Sequence, residues 1–261
     1  MSSFISGNSL LRFSFFITVM LCLSCSTAKK KEKVLTVYAA ASVSKVMHEI
    51  ATDFKKSTGI TLRMNFASSG TLARQLEGGA ECDYFVSASR EWMSYADSLN
   101  LIDKQSIHAL VNNRIVAVVP VSNTDLVIRP GEIARFPSLF QGRLSIGDPN
   151  YVPVGKYAQQ IIEKYNWKSA LNGKYLPAKD ARDALFMVEM GEAEMGLVYY
   201  SDAFQSKKVR IVYTFPAQAC DIIRYYGAAG KNKKKALTTF ISYLQSEKAH
   251  QIWMDNGFNH R

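Results

Sequence analysis

Beyond an N-terminal segment, short apolar runs alternate with amphipathic stretches along the whole chain. The run VLTVYAA at 34–40 predicts a buried strand, because it is continuous, short and rich in β-branched and aromatic residues. In the stretch after it, Val46, Ile50 and Phe54 recur at the spacing of one helical face, and Gly59 is placed to end that helix. A strand followed closely by a helix is the unit of an α/β fold.

The same alternation continues to the C-terminus. Further strands are predicted at 60–66, 83–88, 114–120, 144–148, 195–200, 210–215 and 222–228. Further helices are predicted at 71–77, 155–165, 181–190 and 235–254. This order favours an α/β fold with largely parallel sheets flanked by helices. The proline- and glycine-containing connection 122–142 is predicted to be irregular and exposed.

Composition sets the class of protein and excludes some partners. A chain of 261 residues with 48% hydrophobic positions can bury a large core. Much of the net charge of +10 comes from lysine runs at 29–33 and 231–235, which are not interleaved with aromatics. We therefore expect solvated surface charge and no nucleic-acid partner. The four histidines show no metal-ligand spacing, so we expect no metal cluster.

The N-terminus carries a targeting signal. Arg12 precedes an apolar run at 13–23 that is too short to span a bilayer comfortably, and small residues follow it. This order predicts a signal peptide at 1–24 and export to the cell envelope. The residues before Cys25 resemble a bacterial lipoprotein box, which would make Cys25 a lipid anchor followed by a lysine-rich linker at 25–33. Plain cleavage without lipid is the alternative.

Removal of the signal leaves Cys82 and Cys220 in the folded part. In an exported protein they could form a disulfide, or they could be two separate buried thiols. Their separation in sequence leaves both alternatives open.

Four predicted strand-to-helix turns carry small or hydroxyl residues. They lie at 39–44, 67–71, 148–155 and 177–182, the last with Asp180 as the expected N-cap. In open α/β sheets ligands bind beyond the carboxyl ends of strands, where helix N-termini offer unpaired N–H groups. Together with the hydroxyl of Tyr199 at a strand end, these turns predict an anion site built from neutral donors.

Four segments of the chain carry a more specific resemblance. They are AAAS at 39–42, FASSGTLARQ at 66–75, GDP at 147–149 with VP at 152–153, and GLVY at 196–199 with SD at 201–202. In order and spacing they resemble the signature segments of periplasmic molybdate-binding proteins, the substrate-binding components of molybdate ABC importers. The resemblance implies a two-lobed type II periplasmic-binding-protein fold with two mixed, mostly parallel sheets and a hinge. The implied lobes are 34–112 plus 218–261, and 113–217.

The resemblance also implies a ligand set, carried over position by position. Ser42 and Ser69 match serines that donate hydroxyl and backbone N–H groups, Val154 and Ala181 match backbone N–H donors, and Tyr199 matches a phenolic donor. The implied function is binding of molybdate, with tungstate, by a monomeric receptor that delivers it to a membrane permease and needs no cofactor. A fully ionised dianion can accept every bond that such a site offers, whereas a protonated oxyanion brings a donor with no acceptor to meet it.

Two other functions compete with this one. The pair Tyr199 and Tyr200 resembles the paired tyrosines of ferric-ion-binding proteins of the same fold, although iron also needs carboxylate or imidazole ligands that the serine turns do not provide. We expect Tyr200 to lie on the opposite face of its strand, in packing. Ser42 and Lys45 match the S-x-x-K of serine acyl-transferases, but the other elements of that motif are not in place. We therefore predict a receptor and not an enzyme.

The segment 65–75 is predicted to combine a helix start with a binding turn. Ser69 and its neighbouring N–H are expected to cap the helix in an open form and to hold an oxyanion when the lobes close. Ser68 and Gly70 are expected to shape the turn, and Arg74 is expected to make no direct contact with the anion.

Overall fold

The computed structural model describes residues 33–232 and 234–259, which form alternating strands and helices. The strands are β1 (Val34–Ala40), β2 (Thr61–Ala67), β3 (Tyr84–Ser87), β4 (His108–Asn112), β5 (Ile115–Pro120), β6 (Leu144–Gly147), β7 (Tyr175–Ala178), β8 (Met195–Tyr199), β9 (Val209–Thr214) and β10 (Arg224–Ala229). The α-helices are α1 (Ser44–Thr58), α2 (Ser69–Glu77), α3 (Arg90–Ser98), α4 (Pro153–Lys164), α5 (Ala181–Glu189), α6 (Tyr200–Gln205), α7 (Lys235–Leu244) and α8 (Glu247–Asp255). The predicted signal peptide and Cys25 lie outside the described residues.

The strands of the described residues form two five-stranded mixed sheets. The first has the order β2-β1-β3-β10-β4 and the second the order β7-β6-β8-β5-β9. In the first sheet β10 is antiparallel to both of its neighbours, and in the second sheet β5 is. The remaining pairings are parallel, so four strands of each sheet run in the same direction. The predicted α/β fold with two mixed, mostly parallel sheets is confirmed.

The chain passes between the sheets at two places. The first passage is the short link Asn113 and Arg114, between β4 and β5, and the second runs from the end of β9 to the start of β10. The strand that enters after each passage is the reversed one, β5 or β10. This arrangement brings the carboxyl ends of the parallel strands of both sheets toward the same region between them.

Helix α1 shows how the sequence pattern produces this packing. Its buried residues Val46, Met47, Ile50 and Phe54 lie on one face against the first sheet, as the helical spacing predicts. The helix ends at Gly59, which adopts a left-handed conformation with φ of 71°. A residue with a Cβ is strained there, so the glycine fixes where the helix ends.

Several elements were not predicted from the sequence. Strand β7 contains Pro177, which cannot donate to a sheet ladder and argues against a central strand; β7 lies at the edge of its sheet, where proline is tolerated. Helix α3 and strand β4 were also missed. The single helix predicted at 235–254 is two helices, and the side chain of Ser246 caps the second by accepting from the Ala249 N–H at 3.2 Å.

Among the described helices none has both the length and the apolar character needed to cross a membrane.

Cys82 is buried and Cys220 half-buried, and both are free thiols rather than a disulfide. Burial raises the pKa of Cys82 to about 12 and that of Cys220 to about 11, so both are protonated at neutral pH.

Candidate functional site

A small cavity lies between the carboxyl ends of the two sheets. Its volume is only about 10 Å³, and it is lined by all five predicted site residues: Ser42, Ser69, Val154, Ala181 and Tyr199. The rest of its wall consists of Ala40, Ala41, Ser68, Ala88, Val152 and Pro153. None of these lining residues is charged. Residues from six separate parts of the sequence therefore meet at one point, which is where the strand-to-helix turns were expected to converge.

The hydroxyl oxygens of the two predicted serines each have a hydrogen-bond partner. The Oγ of Ser69, which is fully buried, accepts a hydrogen bond from the Ala88 N–H at 2.9 Å. The Oγ of Ser42 lies 2.8 Å from the phenolic oxygen of Tyr225, where either group can donate. A hydroxyl whose oxygen already accepts a bond keeps its proton available, so Ser69 can donate into the cavity.

The helix cap next to Ser69 belongs to its neighbour. The Oγ of Ser68 accepts from the Thr71 N–H at 3.1 Å, and Ser68 is the N-cap residue of α2 while Ser69 is its first residue. In the described conformation the cap is therefore Ser68 and not Ser69, and the cap that was predicted for Ser69 in an open form stays a prediction. Ser68 has the extended backbone that an N-cap needs, whereas the Ser69 side chain is turned toward Ala88 in the interior.

Two helix N-termini supply backbone donors to the cavity wall. Val154 is the second residue of α4, and Ala181 is the first residue of α5. The first N–H groups of a helix have no partner within the helix, and they carry partial positive charge. The predicted N-cap Asp180 accepts from the Asp183 N–H at 2.9 Å, which leaves the N–H of Ala181 outside this cap.

Tyr199 presents an unpaired hydroxyl at the cavity. Its side chain is almost completely buried, and within the described part of the chain its phenolic oxygen has no hydrogen-bond partner. Burial, reinforced by neighbouring Tyr225, Tyr157 and Asp202, raises the pKa of Tyr199 well above its ordinary value, so it remains a neutral donor. A buried polar group without a partner costs free energy, and a ligand that accepts its proton removes that cost.

Tyr200 lies outside the cavity wall. It begins helix α6 rather than ending strand β8, so the prediction that it sits on the opposite face of the strand is wrong in detail. The guanidinium carbon of Arg114 lies 3.7 Å from the centre of its ring, and the ring of Phe204 stacks on it at 5.7 Å. The two tyrosines therefore do not converge on one ligand, as a paired iron site would require.

Ser42 and Lys45, the two residues that match the acyl-transferase motif, also differ in their exposure to solvent. Ser42 is buried at the cavity, whereas Lys45 is exposed on helix α1. A lysine that activates a serine must reach its hydroxyl. Within the described part of the chain, the Ser42 hydroxyl is hydrogen-bonded to Tyr225 instead.

Contacts between elements of the two sheets surround the cavity. The Gly70 N–H donates to the Tyr151 carbonyl at 3.2 Å, and the ammonium of Lys156 on α4 pairs with the carboxylate of Glu91 on α3. A Cβ on residue 70 would come within 2.5 Å of that carbonyl oxygen, so the approach requires glycine. In the described conformation, elements packed on the two sheets are therefore in direct contact.

A second cleft adjoins the cavity, and two basic side chains line it. It is lined by residues that include Ser68, Arg74, Tyr151 and Lys179. Arg74 lies over the ring of Trp92 at 5.8 Å and is not among the residues that line the small cavity. The expectation that Arg74 lies outside the immediate donor set agrees with this position.

A buried carboxylate lies on the helix that follows Tyr199. Asp202 is fully buried; one oxygen lies 3.4 Å from Arg182, and the other has no partner within the described residues. Burial is the main cause that raises the pKa of Asp202 from 3.8 to about 7, and Arg182 opposes the rise. At pH values between about 4 and about 7, Asp202 therefore keeps a proton in the folded protein that it has lost in the unfolded chain.

This shift predicts a specific loss of stability with pH. The contribution of Asp202 to the free energy of unfolding should fall by up to roughly 4 kcal/mol as pH rises from about 4 to about 7. In Asp202→Asn this contribution is absent, so the variant should gain stability relative to the parent protein as pH rises. Urea unfolding of both proteins from pH 4 to pH 8 measures the difference. Parallel pH curves would contradict the prediction.

Sequence reasoning missed three residues that support the site. Ala88 provides the N–H that orders Ser69, while Tyr225 and Asn113 stand behind Ser42. Asn113 directly precedes a predicted strand, which is the only local signal. The Tyr225 contact spans 183 positions and Ala88 acts through its backbone, so neither has a local signature.

Comparison with known proteins places this architecture in a family. Residues 35–259 match the family of bacterial extracellular solute-binding proteins. The molybdate-binding protein ModA of Escherichia coli is 40% identical over 226 residues, which cover 86% of this chain and 88% of that protein. ModA of Haemophilus influenzae is 36% identical over 229 residues, with 86% and 89% covered.

A solved structure shows the same fold. The periplasmic molybdate-binding protein of Azotobacter vinelandii superimposes with a TM-score of 0.78 over 87% of this chain and 99% of that chain, at 20% identity. The family match covers nearly all of the folded residues, and the identity to two curated relatives extends over the same region. The chain therefore belongs to the bacterial extracellular solute-binding protein family.

Proposed function

We propose that the protein binds molybdate in the cavity between its two sheets and delivers it to an ABC importer. The observation that carries the proposal is the unpaired, buried hydroxyl of Tyr199 in a cavity whose other donors are Ser42, Ser69 and two helix N-termini. Such a wall offers hydrogen-bond donors and no charged group. The relatives named as molybdate-binding proteins support the choice of ligand.

The donors suit a tetrahedral dianion. Each hydrogen bond to a charged group contributes roughly 1.5–3 kcal/mol, so several together can offset the cost of dehydrating the anion. A fully ionised anion accepts at every oxygen, while a protonated one must leave its own O–H unpaired in this wall. Tungstate has the same charge and shape as molybdate, so it is proposed as a second ligand. No resident cofactor or metal cation takes part.

The proposed motion is closure of two lobes on the anion. One lobe consists of residues 34–112 and 218–261, and the other of residues 113–217. Membership of the two sheets supports this division, because β1–β4 with β10 form one sheet and β5–β9 form the other. Ser42 and Ser69 then belong to the first lobe, and Val154, Ala181 and Tyr199 to the second. Both lobes must close to complete the donor set.

The proposed location is the outer face of the cytoplasmic membrane or the periplasm. The charged, apolar and small-residue order of the N-terminus supports export, and Cys25 follows it in the position of a lipid anchor. The partners are then molybdate, a membrane permease and, through the anchor, the membrane itself. The receptor acts as a monomer without catalytic activity.

Calorimetry tests the ligand directly. A chain from residue 26, without the signal peptide and Cys25, should bind molybdate and tungstate with a dissociation constant in the micromolar range or below, about −8 kcal/mol, and sulfate more weakly. Absence of heat with molybdate at millimolar concentration would overturn the proposal.

A melting experiment separates molybdate from ferric ion. A ligand that binds only the folded state raises the midpoint of thermal unfolding. Molybdate should raise it, and ferric citrate should leave it unchanged. Stabilisation by iron and not by molybdate would favour the iron-binding alternative.

A further inference from the structure

A chain of buried hydrogen bonds runs from the passage between the sheets to Ser42. Asn113, which lies between β4 and β5, contacts the Oγ of Ser201 at 2.8 Å and the phenolic oxygen of Tyr225 at 3.4 Å. Tyr225 in turn contacts the Oγ of Ser42 at 2.8 Å. All four side chains are buried, and Ser42 is the member that lines the cavity.

The backbone fixes the orientation of the Asn113 amide. Its Oδ1 accepts from the Arg114 N–H at 2.9 Å and from the Ser201 N–H at 3.4 Å. Backbone N–H groups can only donate, so the atom that faces them must be the amide oxygen. The Nδ2 of Asn113 therefore faces Ser201 and Tyr225, and it acts as a donor to both.

This orientation sets the direction of the remaining bonds. Because Asn113 donates to the phenolic oxygen, Tyr225 keeps its own proton for Ser42, which among the described residues is the other partner of the Tyr225 hydroxyl. Burial raises the pKa of Tyr225 and keeps that proton in place at neutral pH. Ser42 then accepts from Tyr225, and its own proton is left to point into the cavity.

We propose that Asn113 and Tyr225 are positioning residues that make the Ser42 hydroxyl a donor toward the cavity, so that the site rejects oxyanions carrying a proton. The inference rests on the proposed function and deepens it. Three serines line the cavity, and the oxygens of Ser68 and Ser69 already accept from backbone N–H groups, so Ser42 is the lining serine whose hydroxyl direction is set by a side chain, Tyr225.

Tyr225→Phe tests this assignment. Without the phenolic hydroxyl, the Ser42 hydroxyl is no longer held with its proton toward the cavity, so it can rotate and present a lone pair to the O–H of a protonated oxyanion. At pH 8 the affinity for molybdate should fall about tenfold, whereas the affinity for hydrogen phosphate should hold or rise. The ratio of the two dissociation constants should narrow at least tenfold in calorimetric competition. A residue that merely supports the fold would weaken both ligands together.

Asn113→Asp is a second variant, which removes the side-chain N–H donor of residue 113. A carboxylate can still accept from the Arg114 and Ser201 N–H groups, but it can no longer donate to Tyr225. The Tyr225 proton should then turn toward residue 113, and the Ser42 proton toward Tyr225. We expect the ratio of the phosphate to the molybdate dissociation constant to narrow as in Tyr225→Phe, with the circular dichroism of the secondary structure unchanged.

Tyr226→Phe is the matched control. Tyr226 neighbours Tyr225 on β10 and is half-buried, and it does not line the cavity. The ratio of the phosphate to the molybdate dissociation constant should be the same in Tyr226→Phe as in the parent protein. An unchanged ratio in both Tyr225→Phe and Asn113→Asp would overturn the positioning role, including the case where phosphate binding stays undetectable. Failure of the parent protein to bind molybdate would instead overturn the proposed function.

Discussion

Replacing Ser42 and Ser69 together with alanine should weaken molybdate binding at least tenfold. Both serines line the cavity, and the oxygen of each already faces a donor, the Ala88 N–H for Ser69 and Tyr225 for Ser42. Each hydroxyl proton is therefore available for the anion, and each substitution removes one charge-assisted hydrogen bond. A loss of 1.4 kcal/mol corresponds to a factor of ten in the dissociation constant, and one such bond is worth about that or more.

Calorimetry with molybdate measures the effect, and Ser98→Ala with Ser138→Ala provides a matched double control. Those two serines are exposed, and each donates to the carbonyl three residues before it, at 2.8 Å. The control should bind molybdate like the parent protein. Equal affinity in the site variant and the control would count decisively against the cavity as the binding site.

The parts of the fold that could be predicted from the sequence are those with a local period. Helix α1 has a continuous apolar face from Val46 to Phe54 and a glycine stop, so its identity and its end followed from spacing alone. Strand β7 could not be found in this way, because Pro177 gives the signal of a turn. Its edge position, which makes the proline acceptable, is a property of the whole sheet.

The candidate site divides along the same line. Turns at the carboxyl ends of strands are local features, and the family resemblance supplied the individual residues Ser42, Ser69, Val154, Ala181 and Tyr199. The structure brings these together around one cavity. What the sequence could not provide is the direction of each hydroxyl, since the Tyr225 and Ala88 partners approach Ser42 and Ser69 through tertiary packing.

The difference between Ser68 and Ser69 shows the same limit. Both residues precede a helical pattern and both have a hydroxyl that can cap it. The structure assigns the cap to Ser68, whose Oγ meets the Thr71 N–H, and turns Ser69 inward to Ala88. The division of roles frees Ser69 from the helix end, so its proton can serve a ligand without unfolding the first turn.

Gly155→Ala should both destabilise the protein and weaken molybdate binding. Gly155 is the third residue of α4, and a Cβ there would lie 1.9 Å from the carbonyl oxygen of Gly147 at the end of β6. The N-terminus of α4 must move away from the strand to relieve this overlap, and the N–H of Val154 moves with it. Overpacking of this kind costs about 1–3 kcal/mol. We expect a fall of about 2 kcal/mol in the free energy of unfolding.

Urea unfolding measures the stability of Gly155→Ala, and calorimetry measures its affinity for molybdate. Gly131→Ala is the matched control, because a Cβ at Gly131 would meet no atom within 4 Å and the residue lies far along the chain from the cavity wall. The control should stay within about 0.5 kcal/mol of the parent protein and keep its affinity. A Gly155→Ala protein with parental stability and parental affinity would show that the contact between α4 and β6 does not position the Val154 donor. Weaker binding with the helix end displaced would connect the close packing of two glycines, Gly147 and Gly155, to the placement of a backbone N–H in the site.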